Sequence, residues 1–198
     1  MLVLVSANNR FEGARKHMNV SIPMPADDVL LHVIGESYNP AKVLNVIKMF
    51  AGTDDLYQAT IGLVNAVFRA RGIDPRSREM IILRSAKILN VPYEAQANRQ
   101  MAANAGLSTE EIAAAAQDGP VTGVNPDYVL LCKATDELSL TATLTDETLS
   151  ALLARYDETI CRKFVLLIAW FNLLSRFLNG CRVPLETTDK IGHRTSPI

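Results

Sequence analysis

The stretch SREMIILRSAKILNVPYEAQANRQMAANAGLSTEE, residues 77–111, contains two helical patterns separated by a short break. Three, four and seven positions after Glu79 come Ile82, Leu83 and Ala86, which are all apolar. Residues at these spacings share one face of an α-helix, so Glu79 is predicted to lie on the face that packs into the core. An ionised carboxylate held there must be paired or hydrogen-bonded, or its pKa must rise.

The second helical pattern carries another carboxylate, Glu94, followed four residues later by Asn98. The break at 90–92 reads NVP, and a residue that precedes proline resists the helical conformation. Folding of the two helices against each other would bring Glu79 close to Glu94 and Asn98, an arrangement suited to acid–base chemistry. A structural interpretation stays open, because glutamates near a helix start also stabilise the helix dipole.

Helical periodicity continues on both sides of this stretch and predicts an all-α fold. Asp74 and Pro75 form a helix start signal, and Ser108 with Glu111 forms a capping box. No alternating strand pattern of any length competes with these helices. The predicted helices cover about 40–52, 54–71, 75–89, 92–105, 109–117, 126–139, 146–156 and 158–180.

The chain divides into an irregular N-terminal arm, residues 1–37, a helical domain, residues 38–185, and a C-terminal tail, residues 186–198. The most apolar segment, residues 164–178, is shorter than the ~20 residues that span a bilayer, and Asn172 interrupts it. We therefore expect a buried helix there and no membrane contact. The N-terminus lacks the pattern of a signal peptide, and a cytoplasmic location is expected.

The charge and the cysteine content indicate which kinds of ligand and partner the protein is expected to bind. The 198 residues carry a formal net charge of −1, with both signs scattered along the chain, which argues against binding to nucleic acid or an anionic membrane. A small-molecule substrate is the expected partner. No dithiol or metal-ligand spacing occurs among the cysteines and histidines, so neither a metal site nor a disulfide framework is predicted. These residues are Cys132, Cys161, Cys181, His17, His32 and His193.

The motif order in IDPRSREMIILRSAKILNVPYEAQANRQMAANAGLSTEEIAAA, residues 73–115, resembles the carboxymuconolactone decarboxylase family, which includes the alkylhydroperoxidase D branch. The similarity covers residues 40–118, and residues 152–186 resemble the C-terminal helices of longer members. The resemblance implies a single-domain, alkylhydroperoxidase D-like bundle of about seven helices. It also implies association of several copies, as a dimer, trimer or hexamer.

The resemblance assigns roles position by position. The peroxidase branch has a glutamate before a Cys-x-x-Cys-x-x-x-His motif, and these positions fall on Glu79, Val91, Glu94 and Asn98. Both cysteines and the histidine are replaced, so dithiol peroxidase chemistry is not expected. The decarboxylase-like branch reads Tyr-Glu-x-x-x-His, which falls on Tyr93, Glu94 and Asn98. Asparagine cannot titrate near neutral pH, so proton transfer would pass to the glutamates.

What the family implies is a lyase (decarboxylase) or isomerase without a cofactor, acting on a small carboxylated lactone, keto acid or aromatic-derived metabolite. Glu79 and Glu94 would transfer the proton, and Asn98 would orient the substrate or stabilise an oxyanion. Further candidates for substrate binding are Tyr93, Arg84 and Asn172. Two alternatives stay open: a non-catalytic binding or scaffold protein on the same fold, and a thiol-dependent hydroperoxide reductase.

Overall fold

The computed structural model describes residues 20–198; the first 19 residues of the predicted arm, including His17, lie outside the described residues. The described chain is all-α and contains no strand, which confirms the predicted fold class. A single 3₁₀ turn, Asp54–Leu56, accompanies nine α-helices. These are α1 Asp27–Ile34, α2 Asn45–Ala51, α3 Tyr57–Phe68, α4 Pro75–Ile88, α5 Pro92–Asn104, α6 Thr109–Ala115, α7 Pro126–Thr141, α8 Asp146–Arg155 and α9 Glu158–Cys181.

Helix α4 is the central element, and it packs against α5, α6, α7 and α9. The sequence suggested one buried face, but every residue from Ser77 to Ala86 is buried. Two arginines within this span, Arg78 and Arg84, are 3% and 1% exposed. Neighbouring helices cover α4 on all sides, so its polar side chains need partners inside the protein.

Capping side chains determine where the central helices begin. The Asp74 carboxylate accepts a hydrogen bond from the Arg76 amide, and Pro75 occupies the first helical position, where no N–H is required. Ser108 and Glu111 form the predicted capping box of α6. These contacts satisfy amides that would otherwise lack partners at the helix starts.

The break between α4 and α5 is only three residues long. Asn90 has φ 53°, the left-handed conformation that asparagine tolerates better than most residues. The Val91 amide donates to the Ala86 carbonyl at 2.8 Å, and Pro92 begins α5. The chain therefore reverses tightly, and α5 packs against α4 as predicted.

Helix α1 lies within the arm that was predicted to be irregular. Asp27 and Asp28 occupy its first turn, Leu30 is buried, and Gly35 ends the helix at φ 84°. Its eight residues span barely two turns, which is too short for a clear periodic signal in the sequence. With α1, the described residues form nine α-helices rather than about seven.

Helix α9 is the longest helix and contains the predicted apolar segment. Its length and a mean hydropathy of 1.5 would permit a membrane span, but core helices of soluble proteins often show the same properties. Phe164, Ile168 and Phe171 on one side of α9 are buried in the main core. On the observed packing, α9 is a core helix.

The tail after α9 folds back over its own chain. The Glu186 carboxylate accepts hydrogen bonds from the Asn45 amide at 2.6 Å and from the Tyr93 hydroxyl at 2.5 Å. Lys190 forms an ion pair with Glu186 at 2.7 Å, and both side chains are buried. The carboxylate therefore stabilises the N-terminus of α2 and attaches the tail to α2 and α5.

Candidate functional site

An apolar cavity lies between α2, α3, α5 and α9, and residue 197 of the tail also lines it. Its volume is about 30 Å³, room for about two water molecules. Among the described residues that line it, none is a lysine, arginine or histidine. The lining consists of Leu44, Val46, Ile47, Phe50, Val64, Phe68, Tyr93, Glu94, Ala97, Asn98, Met101, Trp170, Phe171, Leu174, Leu178 and Pro197.

Glu94 is the carboxylate that lines this cavity. Its side chain is buried, with the residue 1% exposed, and Oε2 accepts a hydrogen bond from Ser175 Oγ at 2.5 Å. Its other oxygen, Oε1, has no hydrogen-bond partner among the described residues. Burial raises the pKa of Glu94 to about 8; the Ser175 hydrogen bond opposes this rise, and the charge of Glu79 adds to it. Glu94 is therefore mainly neutral at pH 7.

Asn98 and Trp170 also line the cavity, and each has a buried polar atom without a partner. Asn98 Nδ2 donates to the Glu94 backbone carbonyl at 3.0 Å, so the atom that stays unpaired is the acceptor Oδ1. Trp170 is 5% exposed, and its unpaired atom is the donor Nε1. Buried polar atoms are rarely left unpaired, and three such residues around one cavity indicate a place for a ligand.

Glu79 is fully buried, as its spacing predicted, but it does not line the cavity. Its Oε1 forms an ion pair with Arg78 Nη2 at 3.1 Å, whereas Oε2 has no partner among the described residues. Burial raises the pKa of Glu79 to about 7, and the charge of Arg78 limits the rise. Because its charge raises the pKa of Glu94 and its side chain does not line the cavity, Glu79 is suited to an electrostatic influence on the cavity rather than to contact with a ligand.

Tyr93 lines the cavity, but its hydroxyl group is fully engaged. It donates to Glu186 Oε1 and accepts a hydrogen bond from the Val46 amide at 3.0 Å. Burial and the Glu186 carboxylate raise the pKa of Tyr93 far above its ordinary value. Its ring can therefore contact a ligand, while the hydroxyl holds α5, α2 and the tail together.

The two remaining substrate-binding candidates lie away from the cavity. Arg84 forms an ion pair with Asp136 at 2.5 Å and donates to the carbonyls of Gln117 and Gly119. Asn172 donates to Ser139 Oγ at 3.0 Å and accepts from Arg176. The proposed substrate contacts of Arg84 and Asn172 do not fit these positions, because partners within the protein occupy the polar groups of both side chains.

Sequence reasoning missed Trp170 and Ser175 as site residues. Ser175 is a polar residue within the apolar segment 164–178, which is the same signal that drew attention to Asn172. Asn172 and Ser175 are three positions apart, so their side chains lie on the same side of the helix. Only the contacts between helices decide which of the two meets Glu94. Nothing in the sequence indicated a functional role for Trp170, because an aromatic residue in an apolar helix is usually a core residue.

The described part of the chain contains neither a cysteine at the cavity nor a cluster of residues that could bind a metal ion. All three cysteines are buried, and none of them lines the cavity. Burial raises the pKa of Cys132 to about 12, and it also raises the pKa values of Cys161 and Cys181, which disfavours the reactive thiolate. Among residues 20–198, no group of three or more histidine, cysteine or acidic residues could hold a metal ion.

Comparison with known proteins supports the family relationship. Residues 54–127 match the model of the Carboxymuconolactone decarboxylase family. The matched segment runs from the 3₁₀ turn to the first residues of α7 and includes Glu79, Tyr93, Glu94 and Asn98. No curated protein and no solved structure matches the chain significantly.

Proposed function

Because residues 54–127 match the model of the carboxymuconolactone decarboxylase family, we propose that the protein is a lyase of that type. It acts without a cofactor on a small keto acid or carboxylated lactone, including one derived from an aromatic compound. The observation that carries this proposal is the group of unpaired polar atoms on Glu94, Asn98 and Trp170 around one apolar cavity.

The protonation state of Glu94 favours decarboxylation over isomerisation. With a pKa of about 8, Glu94 is mainly a carboxylic acid at neutral pH and is therefore a proton donor. In the proposed reaction, the bond between the substrate carbon and its carboxylate breaks and carbon dioxide leaves. The electron pair moves into the conjugated carbonyl, and the resulting enolate takes the Glu94 proton at carbon. Water then returns a proton to Glu94.

Trp170 and Asn98 would orient the substrate. The unpaired indole N–H of Trp170 can donate to the carbonyl oxygen on which negative charge develops. The unpaired Oδ1 of Asn98 can accept from a substrate hydroxyl, a change from the expected role as oxyanion donor. The described residues that line the cavity include no cation, so a bound carboxylate is poorly stabilised there. Its loss as neutral carbon dioxide relieves that cost.

A substrate panel tests the proposal directly. Carbon dioxide release from β-keto acids and carboxylated γ-lactones would be measured for the wild type and for Glu94→Gln, with the exposed Glu110→Gln as control. We expect turnover of at least one compound and a loss of ~10²–10⁴-fold in Glu94→Gln alone, the usual contribution of general acid catalysis. Equal turnover in Glu94→Gln would remove the assigned role.

Ligand binding can be followed independently of turnover. The chain has one tryptophan, Trp170, so its fluorescence reports on the cavity without other signals of that type. A compound that changes this fluorescence but releases no carbon dioxide would favour the alternative, a non-catalytic binding protein on the same fold. A panel without any fluorescence change or turnover would refute both assignments for these compounds.

A further inference from the structure

The tail forms part of the wall of this cavity. Pro197 lines it together with Trp170, Phe68 and Phe171. A carboxylated lactone has more atoms than a cavity of about 30 Å³ can hold. Binding of such a ligand requires part of this wall to move.

Up to residue 191 the tail is attached by a buried ion pair and by packing in the core. Glu186 and Lys190 form the buried ion pair described above, and the Ile191 side chain is buried in the main core. Gly192 follows with φ 57°, a backbone conformation that glycine adopts at little cost. The chain therefore changes direction just where its firm attachment ends.

The segment 192–198 is held more weakly. Among the described residues, three hydrogen bonds join it to the helices, and all three run from side-chain donors to tail carbonyls. Asn104 Nδ2 donates to Gly192 and Arg194, both at 2.8 Å, and Arg78 Nη2 donates to Thr195 at 3.0 Å. Asn104 is the last residue of α5 and does not line the cavity.

We propose that residues 192–198 are a lid that opens about Gly192 to admit a ligand, and that Pro197 sets the volume of the closed cavity. Opening breaks the Asn104 and Arg78 hydrogen bonds and those that Arg194 donates across Gly192 to the carbonyls of Lys190 and Ile191. Glu186 keeps the rest of the tail attached. This proposal rests on the proposed function in one respect, since both take this cavity as the site where the ligand binds. Its test needs no substrate and no turnover.

Two variants weaken the lid in different ways. Truncation after Thr195 removes Pro197 from the wall, and Asn104→Ala removes two of the three hydrogen bonds that join the lid to the helices. The matched control is Asn179→Ala, which also loses two hydrogen bonds from an asparagine amide to backbone carbonyls, those of Leu89 and Asn90. Circular dichroism establishes that each variant retains its helices.

Acrylamide quenching of Trp170 fluorescence measures access to the cavity. We expect the quenching constant to rise severalfold in the truncated chain, because Trp170 is only 5% exposed and shares the lining of the cavity with Pro197. The constant should stay at the wild-type value in Asn179→Ala. Unchanged quenching in a folded truncated chain would overturn the lid.

Trimming by carboxypeptidase Y, which can release both Ile198 and Pro197, measures opening of the lid in the untruncated chain. Loss of Pro197, followed by mass spectrometry, should be ~10-fold faster in Asn104→Ala than in the wild type, because two hydrogen bonds no longer oppose opening. Should truncation prevent folding, this second measurement decides the question alone. Equal trimming rates in Asn104→Ala and Asn179→Ala would overturn the proposal.

Discussion

Replacing Glu94 with glutamine should flatten the pH dependence of stability. Burial raises the pKa of Glu94 from 4.5 to about 8, so the folded protein binds this proton more tightly than the unfolded chain does. The free energy of unfolding must then be highest when Glu94 is neutral. It falls as pH rises from the unfolded pKa towards the folded pKa.

The size of the effect follows from linkage. Between these two pKa values, each pH unit lowers the free energy of unfolding by ~1.4 kcal/mol for each such carboxyl group. From about pH 5.5 to about pH 7.5 Glu94 therefore contributes a fall of ~2–3 kcal/mol. Glu79, whose pKa is raised to about 7, adds to the fall in the lower part of the same range. Glu94→Gln removes only the first contribution.

Urea unfolding followed by circular dichroism supplies the measurement. The fall between the two pH values should be ~2–3 kcal/mol smaller in Glu94→Gln than in the wild type. Any fixed cost of the amide in the core cancels, because it is present at both pH values. The control Glu36→Gln removes an exposed carboxylate and should leave the pH dependence unchanged. Identical falls in wild type and Glu94→Gln would show that Glu94 is hydrated in the folded protein, and the acid role would fail with it.

Three other predictions concern separate contacts. Arg84→Ala leaves the part-buried Asp136 carboxylate unpaired and should destabilise the fold by ~3 kcal/mol in urea unfolding; a change below ~1 kcal/mol would contradict the ion pair. Ser175→Ala removes the hydrogen bond that lowers the pKa of Glu94, so the alkaline limit of turnover should move to higher pH; a fixed limit would contradict the link. Trp170→Phe keeps an aromatic ring but loses the N–H donor, so kcat should fall more than KM changes; an effect on KM alone would indicate simple packing.

The extent of burial around Glu94 gives the site its chemical character. Glu94 and Glu79 are both removed from water, and the charge of Glu79 raises the cost of ionising Glu94. Arg78 pairs with Glu79 and leaves Glu94 with a hydroxyl partner only. One carboxyl group is thus paired with a cation, and the other is available as an acid.

The helices and their starts could be predicted from local sequence. Pro75 after Asp74, and Ser108 before Glu111, are signals that act within one helical turn and depend on nothing else in the chain. The reversal at 90–92 belongs to the same class, since Pro92 restricts its neighbour directly. The short helix α1 was not predicted, because two turns contain too few residues for a helical period to be recognised.

The sequence by itself determined that Glu79 points into the core and that Glu94 and Asn98 share a helix face, because helical spacing is fixed by backbone geometry. Only the tertiary structure decided which carboxylate meets the cavity. Glu79 faces Arg78, whereas Glu94 faces Ser175, a residue 81 positions away in the chain. Contacts over such distances depend on how whole helices pack and on where the tail returns, and no local pattern of residues encodes either.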